Sequence, residues 1–249
     1  PKLVLGRGCN ILFTKDFEGA VMRSAIPGLK IIKETKDYVV IETGSGVEWN
    51  SLVIFAIENN YGGIENMALI PGSVGSAPVE KVAAYGQDLS DVFVSLDTIN
   101  LTTGETEVFD KDRCEFTYRD SVFKRNIDLL TNHFITRVRV KLSKNPKLNL
   151  SYWSHKHGAV ENELHESAFE PYTIKDVYNA IINIRTRKFP NDGLFTVGSF
   201  FRNPVVSPTQ LERIRNIVPD VQYYPVKDLV YIKNNNEDCC FFAAILPRH

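Results

Sequence analysis

The chain has no run of eighteen apolar residues, so no part of it reads as a membrane-spanning helix. It has no charge of one prevailing sign either. Its 29 Lys and Arg face 30 Asp and Glu, and a formal net charge of −1 leaves no electrostatic case for nucleic acid. Cysteine is sparse: Cys9, Cys114, Cys239 and Cys240 show neither CxxC spacing nor a dense framework. Disulfides and structural zinc are therefore disfavoured, and reduced thiols in a cytoplasmic protein are expected. The five histidines form no HExxH, and His155-Lys156-His157-Gly158 reads as a polar loop tip with no metal expected. There is no Gly-Lys-Ser/Thr of a P-loop and no acidic ribose partner at Rossmann spacing, which argues against both kinds of nucleotide site. The opening Pro1-Lys2-Leu3-Val4-Leu5 has no initiator methionine and no basic leader, as expected of the interior of a longer protein.

What is present suffices for a real core. The 249 residues are 43% hydrophobic and 24% charged, ordinary for a globular chain of one large or two smaller domains. Leu3–Leu5, Gly19–Ile26, Leu29–Ile32 and Tyr38–Thr43 read as strands, the last rich in β-branched residues. From Val47 to Asn59 the period changes: Trp49, Leu52, Val53, Ala56 and Ile57 make one helical face, which Gly62-Gly63 stops. Phe93–Leu101 and Thr106–Phe109 flank a Thr103-Gly104 turn. In Phe134–Leu142, the alternation predicts Phe134, Thr136, Val138, Val140 and Leu142 on one buried face. Residues 143–171 are polar and aperiodic, a long loop or excursion. Thr173 and Asp176 cap a helix with a buried stripe of Ile174, Val177, Ile181 and Ile184. Its basic end, Arg185, Arg187 and Lys188, suits the macrodipole. Ser207-Pro208 starts another helix, carrying Leu211, Ile214 and Ile217. The class is α+β in two unequal parts, 1–189 and 190–249.

Four segments carry chemistry. Gly6-Arg7-Gly8-Cys9-Asn10 follows a strand and forms either a turn with backbone N–H groups facing an anion or an ordinary tight turn. Pro71-Gly72-Ser73-Val74-Gly75-Ser76 lines up small residues and hydroxyls, so backbone can approach a ligand closely. Two such loops without a lysine clamp suit a dinucleotide pyrophosphate. Tyr118-Arg119-Asp120-Ser121 sets a guanidinium between an aromatic and an acid, suited to a carboxylate or developing enolate, or else to a surface Arg119–Asp120 pair. Gly198-Ser199-Phe200-Phe201-Arg202-Asn203-Pro204 does not alternate as a core strand should, and holds a hydroxyl beside apolar rings.

Taken in this order, with Glu65-Asn66-Met67 and Ala84-Tyr85-Gly86, these motifs resemble the UDP-N-acetylenolpyruvoylglucosamine reductases, from residue 1 to about 226. The segment with Leu150-Ser151-Tyr152 is similar to the form of the family that folds a tyrosine-bearing loop over its substrate. The resemblance implies a domain of the p-cresol methylhydroxylase/vanillyl-alcohol-oxidase FAD-binding type, followed by an incomplete α+β substrate domain with a divergent tail from about residue 227. It implies FAD and NADPH as cofactors, a UDP-sugar substrate and a monomer.

FAD would lie along Gly6, Arg7, Gly8, Cys9, Asn10 and Ile11 and along Pro71, Gly72, Ser73, Val74, Gly75 and Ser76, with Val79 and Val82 by the ring or ribityl chain. Ser199 matches the proton donor, Arg119 the residue between flavin and substrate carboxylate, and Tyr118, Tyr152, Lys188, Asn203 and Tyr224 substrate contacts. The chain departs from the pattern at Cys9 (usually serine), at Lys81-Val82-Ala83 (usually Asn-Ile-Gly) and at Phe195-Thr196-Val197. An N-terminal strand-helix unit and a late glutamate have no counterpart. Two other readings stay open: a catalytically impaired binding relative, or another FAD oxidase of the same fold.

Overall fold

A computed structural model of the chain describes residues 1–150, 152, 160–188, 195–196, 204–219, 221, 223–226, 229–232 and 242–243. The chain divides into two compact units, Pro1–Gly8 with Lys15–Asn191, and Cys9–Thr14 with Asp192–His249.

The larger unit begins with β1 (Lys2–Leu5) parallel to β2 (Ala20–Arg23). Next come β3 (Leu29–Glu34), β4 (Tyr38–Gly44) and α1 (Trp49–Glu58). A 3-10 turn at Glu65–Met67 and a short α2 (Ala77–Glu80) lead into the hairpin β5 (Ala83–Ala84) and β6 (Gln87–Asp88). After α3 (Leu89–Val92), β7 (Phe93–Asn100) and β8 (Thr106–Asp110) form a second hairpin, turning at Gly104. Three short helices, α4 (Lys111–Cys114), α5 (Val122–Arg125) and α6 (Ile127–Asn132), precede β9 (His133–Ser143). The unit ends with α7 (Val160–Ser167) and α8 (Ile174–Lys188).

Its main sheet is antiparallel throughout, in the order β3-β4-β9-β7-β8. The inner face of β4, Val39 and Ile41, is wholly buried, as are Trp49, Leu52, Val53 and Ala56 of α1 and Val177, Ala180 and Ile181 of α8. Each large side chain so buried contributes about 1.5–3 kcal/mol. Trp49 adds direction, because its indole Nε1 donates to the Met67 carbonyl at 3.0 Å and pins the 3-10 turn to α1. Thr173 and Asp176 cap α8 reciprocally: Thr173 N donates to Asp176 Oδ2 at 2.8 Å and Asp176 N to Thr173 Oγ1 at 3.3 Å.

Three details differ from the sequence reading. In β9 the predicted face holds only for Val138, Val140 and Leu142; before them His133 and Ile135 are buried while Phe134 and Thr136 are half-buried. A register shift opposite Asp97 and Thr98 inserts a bulge, which flips the side chains of the strand's first half. Residues 143–171 are not all loop, since α7 lies within them; Val160 and Leu164 are its buried apolar side chains, too few for a visible period. In the smaller unit, Ile217 is 82% exposed, so only Leu211 and the partly buried Ile214 form the apolar side of α9 (Pro208–Ile217).

The smaller unit contains the strands β10 (Phe195–Thr196), β11 (Val205–Val206), β12 (Tyr223–Val226), β13 (Leu229–Ile232) and β14 (Phe242–Ala243). The order β11-β13-β12 makes one antiparallel sheet, and β10 pairs with β14. Among the described residues of both units, no helix is long and apolar enough to cross a membrane, and no group of His, Cys, Asp and Glu could hold a metal ion.

Candidate cofactor and substrate site

Two glycine-bearing turns meet in the larger unit. Gly6, just past β1, lies against the Pro71–Ser76 loop so closely that a methyl in place of its hydrogen would stand 2.8 Å from Ser76 Cβ and 3.0 Å from Ser76 Oγ. Only a hydrogen fits there. The two turns nevertheless present different chemistry. The N–H groups of Val74 and Gly75 donate to the carbonyls of Val47 and Ser45 at 2.8 and 2.9 Å. Those of Ser73 and Ser76 are used inside the loop, to Ser76 Oγ at 3.2 Å and the Ser73 carbonyl at 3.1 Å. In contrast, among the described residues no protein acceptor takes the N–H of Arg7 or Gly8, and the Arg7 guanidinium stands 3.8 Å from Glu48. The loop at 71–76 is thus a stiff, small-residue floor, while the turn at 6–8 supplies open donors for an anion. A phosphate-bearing cofactor fits this pair better than it fits either turn alone.

The arginine turn is docked onto α2, which follows that loop directly. Thr117 and Asp120 exchange backbone hydrogen bonds at 3.1 and 3.3 Å, which closes a tight turn with Arg119 in the left-handed region at φ +50°. Asp120 is buried and accepts from Arg125 Nη1 at 3.0 Å, which anchors the turn. Ser121 Oγ donates to the Val79 carbonyl at 2.8 Å, and Lys124 Nζ meets Glu80 at 2.8 Å. Arg119 and Tyr118, both half-buried, are therefore held at the end of α2, just after the glycine-rich loop.

The hairpin beyond α2 and the 3-10 turn before it bring together residues that the sequence marked as motif pieces but did not assign to the site. Asn66 is fully buried, and its Nδ2 donates to the carbonyls of Tyr85 and Asn149 at 2.7 and 2.8 Å. Tyr85 has φ +47° and its ring meets Tyr152 edge-on, with centroids 5.5 Å apart. Arg185 belongs to the basic helix end that the macrodipole favours. It turns inward and donates from Nη2 to the Leu69 carbonyl at 3.1 Å. Burial pushes its guanidinium below the usual range, a shift that the neighbouring Tyr85 hydroxyl partly offsets. Arg187 pairs with the buried Glu163 of α7, which leaves Lys188 exposed at the end of the helix.

Leu69, Lys81, Tyr85 and Arg119 all adopt positive φ without being glycine. Such backbone costs of order 1 kcal/mol or more per residue and gathers at functional sites. Nothing in residue type announces it. The sequence hint was instead Glu65-Asn66, two polar residues in an apolar stretch: Glu65 too is fully buried, and it accepts from Gly63 N at 2.6 Å and Gln87 Nε2 at 2.7 Å.

Gly6, Arg7 and Gly8 belong to the larger unit, and Cys9, Asn10 and Ile11 to the smaller. Val79, in α2, and Val82, just after it, are half-buried. Tyr224 lies in β12, opposite Tyr231. Ser199 and Asn203 lie outside the described residues. Cys114 is buried and its thiol is pushed up to about 12, chiefly by desolvation, which makes it chemically inert.

Residues 1–110 match the family described as FAD binding domain. UDP-N-acetylenolpyruvoylglucosamine reductase of Flavobacterium johnsoniae is 41% identical over 229 residues, 91% of this chain and 66% of its own length. The protein of the same name from Pseudomonas aeruginosa is 40% identical over 229 residues, 92% of this chain and 65% of its own. The chain thus spans just under two thirds of the length of these relatives. A crystal structure of UDP-N-acetylenolpyruvylglucosamine reductase from Thermus caldophilus aligns with 94% of this chain and 74% of its own at a TM-score of 0.53, with 18% identity, a likeness of fold alone.

Proposed function

We propose, starting from a chain that is homologous to the UDP-N-acetylenolpyruvoylglucosamine reductases, that it acts as an FAD-dependent oxidoreductase in peptidoglycan precursor synthesis, using NADPH to reduce UDP-N-acetylglucosamine enolpyruvate to UDP-N-acetylmuramate. The single observation that carries the reading is the meeting of the 6–8 turn with the 71–76 loop, next to the fixed Arg119 turn. The open donors of Arg7 and Gly8, held close to the glycine-rich loop by the small Gly6, fit a dinucleotide pyrophosphate.

Residues Gly6 to Ile11 and Pro71 to Ser76 would hold FAD, with Val79 and Val82 against its less polar part. When bound, FAD supplies the hydride relay between NADPH and the enolpyruvyl double bond. The protein's own residues handle charge and proton. Hydride delivery to C3 of the enolpyruvyl ether builds negative charge at C2 and its carboxylate. Arg119, permanently charged and fixed by its turn, stabilises that charge, a role worth ~3 kcal/mol of barrier per donor. Ser199 then gives its proton to C2; a hydroxyl is a weak acid, but an enolate carbon is basic enough to take it. Tyr118, Tyr152, Lys188, Asn203 and Tyr224 hold the UDP-sugar in this reading, with the lysine placed for the diphosphate. A monomer in the reduced cytoplasm completes the same reading.

The test is optical. The purified protein should be yellow, with absorbance at about 450 nm as for flavins in general. NADPH should bleach it, and the enolpyruvyl UDP-sugar should restore the colour. A folded, colourless protein would overturn the reading. A yellow protein that NADPH bleaches but the UDP-sugar does not reoxidise would leave a different flavoprotein.

A further inference from the structure

Asn149 lies six residues beyond the end of β9 and three before Tyr152. It is tied twice to the Tyr85-Gly86 turn. Its side-chain Nδ2 donates to the Gly86 carbonyl at 2.9 Å, and its own carbonyl accepts from Asn66 Nδ2 at 2.8 Å. The second bond of Asn66 Nδ2 goes to the Tyr85 carbonyl at 2.7 Å, so one buried amide holds both sides of the contact. That amide is itself immobile. Asn66 N donates to Gln87 Oε1 at 2.8 Å, Gln87 Nε2 donates to Glu65 Oε1 at 2.7 Å, and both Glu65 and Asn66 are fully buried.

Gly86 has φ +83°, and a methyl there would stand 2.9 Å from Asn149 Nδ2. Tyr85 and Tyr152 face each other at 5.5 Å and 76°, three residues past this anchor. On the other side of Tyr152, its carbonyl accepts from Val160 N at the head of α7, and α7 is fastened to α8 by Glu163 and Arg187.

We propose that Asn149 is a positioning residue for the UDP-sugar: it holds the stem of the Tyr152 segment on the Tyr85-Gly86 turn, so that Tyr152 is set beside Tyr85 where the ligand is bound. The proposal rests on the functional reading above for the role of Tyr152. Asn149 touches no reacting atom, so its loss should weaken ligand binding without slowing electron transfer into the flavin. Asn149→Ala removes the donor; Asn149→Asp keeps the size but sets a carboxylate oxygen against the Gly86 carbonyl. Both variants, as flavin-loaded protein, should bind UDP about tenfold more weakly by calorimetry and show a matching rise in KM for the UDP-sugar. Flavin content, the rate of bleaching by NADPH and kcat should stay at the wild-type level.

Gly86→Ala, which pushes on the same amide, should reproduce the pattern, and its combination with Asn149→Ala should be no worse than the weaker-binding single variant. If both Asn149 variants bind UDP as the wild type does, or if kcat and flavin content fall together with affinity, the positioning role is wrong. A wild type that binds no UDP at all sinks the functional reading as well.

Discussion

Gly6 and Ser76, seventy residues apart in the chain, approach until no carbon fits between them: a Cβ on Gly6 would lie 2.8 Å from Ser76 Cβ. The neighbour is not the far end of a flexible side chain. Ser76 Oγ donates to the Ser73 carbonyl at 2.9 Å and accepts from Ser73 N at 3.2 Å, so the serine cannot swing away without opening the loop. Gly6→Ala should therefore separate the open donors at 6–8 from the floor at 71–76. We expect at least a tenfold loss of flavin retained through purification, as the ratio of absorbance near 450 to 280 nm (roughly, for a flavoprotein), with folding of the main sheet intact by circular dichroism. Gly6→Val, with a bulkier side chain, should lose at least as much. Full retention of flavin in Gly6→Ala would argue that the contact is incidental.

Asp120 gives the arginine turn its stiffness. Its carboxylate is buried, accepts from Ser121 N at 3.0 Å and from Arg125 Nη1 at 3.0 Å, and its backbone closes the turn against Thr117. Asp120→Ala leaves those donors without an acceptor, at a cost of about 2 kcal/mol. Arg125→Met should cost less, because the guanidinium is partly solvated. Both should lower kcat by letting Arg119 leave its left-handed conformation, with Asp120→Ala the worse of the two. Urea midpoints and steady-state rates measure the two effects. A variant that loses stability but retains full kcat would show that Arg119 needs no such clamp.

Much of the scaffold was legible because period and punctuation agree. The buried face of α1 is the one that its 3.6-residue period picks out, Thr173 and Asp176 form the reciprocal bonds that their spacing suggests, and Ser207 caps the helix that Ser207-Pro208 was read to start. The glycine-rich loop, the arginine turn and Tyr152 were also marked, by residue type and by resemblance. What escaped was set by tertiary contacts. The bulge in β9 depends on its partner β7, not on the residues of β9 alone. Arg185 has the composition of a helix-end cation, and its inward turn follows from partners distant in sequence, the carbonyl of Leu69, 116 residues away, and the side chain of Tyr85. The left-handed backbone at Leu69, Tyr85 and Arg119 carries no glycine to announce it, so the polar pair Glu65-Asn66 was the one sign that a buried network lay there.

Ser199 is assigned its role by resemblance, and a substitution separates that role from cofactor binding. Ser199→Ala removes the proton without touching the proposed flavin site at residues 6–11 and 71–76. Reduction by NADPH should therefore proceed at the wild-type rate, while reoxidation by the enolpyruvyl substrate slows by roughly 10²–10⁴-fold, the range for a lost general acid. Stopped-flow absorbance resolves both halves. Equal slowing of the two would mean that the serine supports the fold or the flavin and not the proton transfer.

Glu163 ties the segment beyond Tyr152 to α8, and this tie depends on pH. Its hydrogen bond to Arg187 holds the carboxyl below the usual glutamate range, outweighing the opposing effect of burial, and Asn183 and the charge of Arg187 add to the lowering. A carboxyl whose value is depressed in the folded state contributes stability that is complete above its unfolded value of about 4.3 and is lost as pH falls through the folded value. Arg187 is largely solvated, so the contribution is modest, about 1 kcal/mol. At pH 7, Glu163→Gln should lower Tm by about 2–4 °C. As pH is brought below about 4, the wild type should lose its advantage and the two melting curves should converge. A constant gap across that range would show that packing of the side chain, and not its charge, holds α7 on α8.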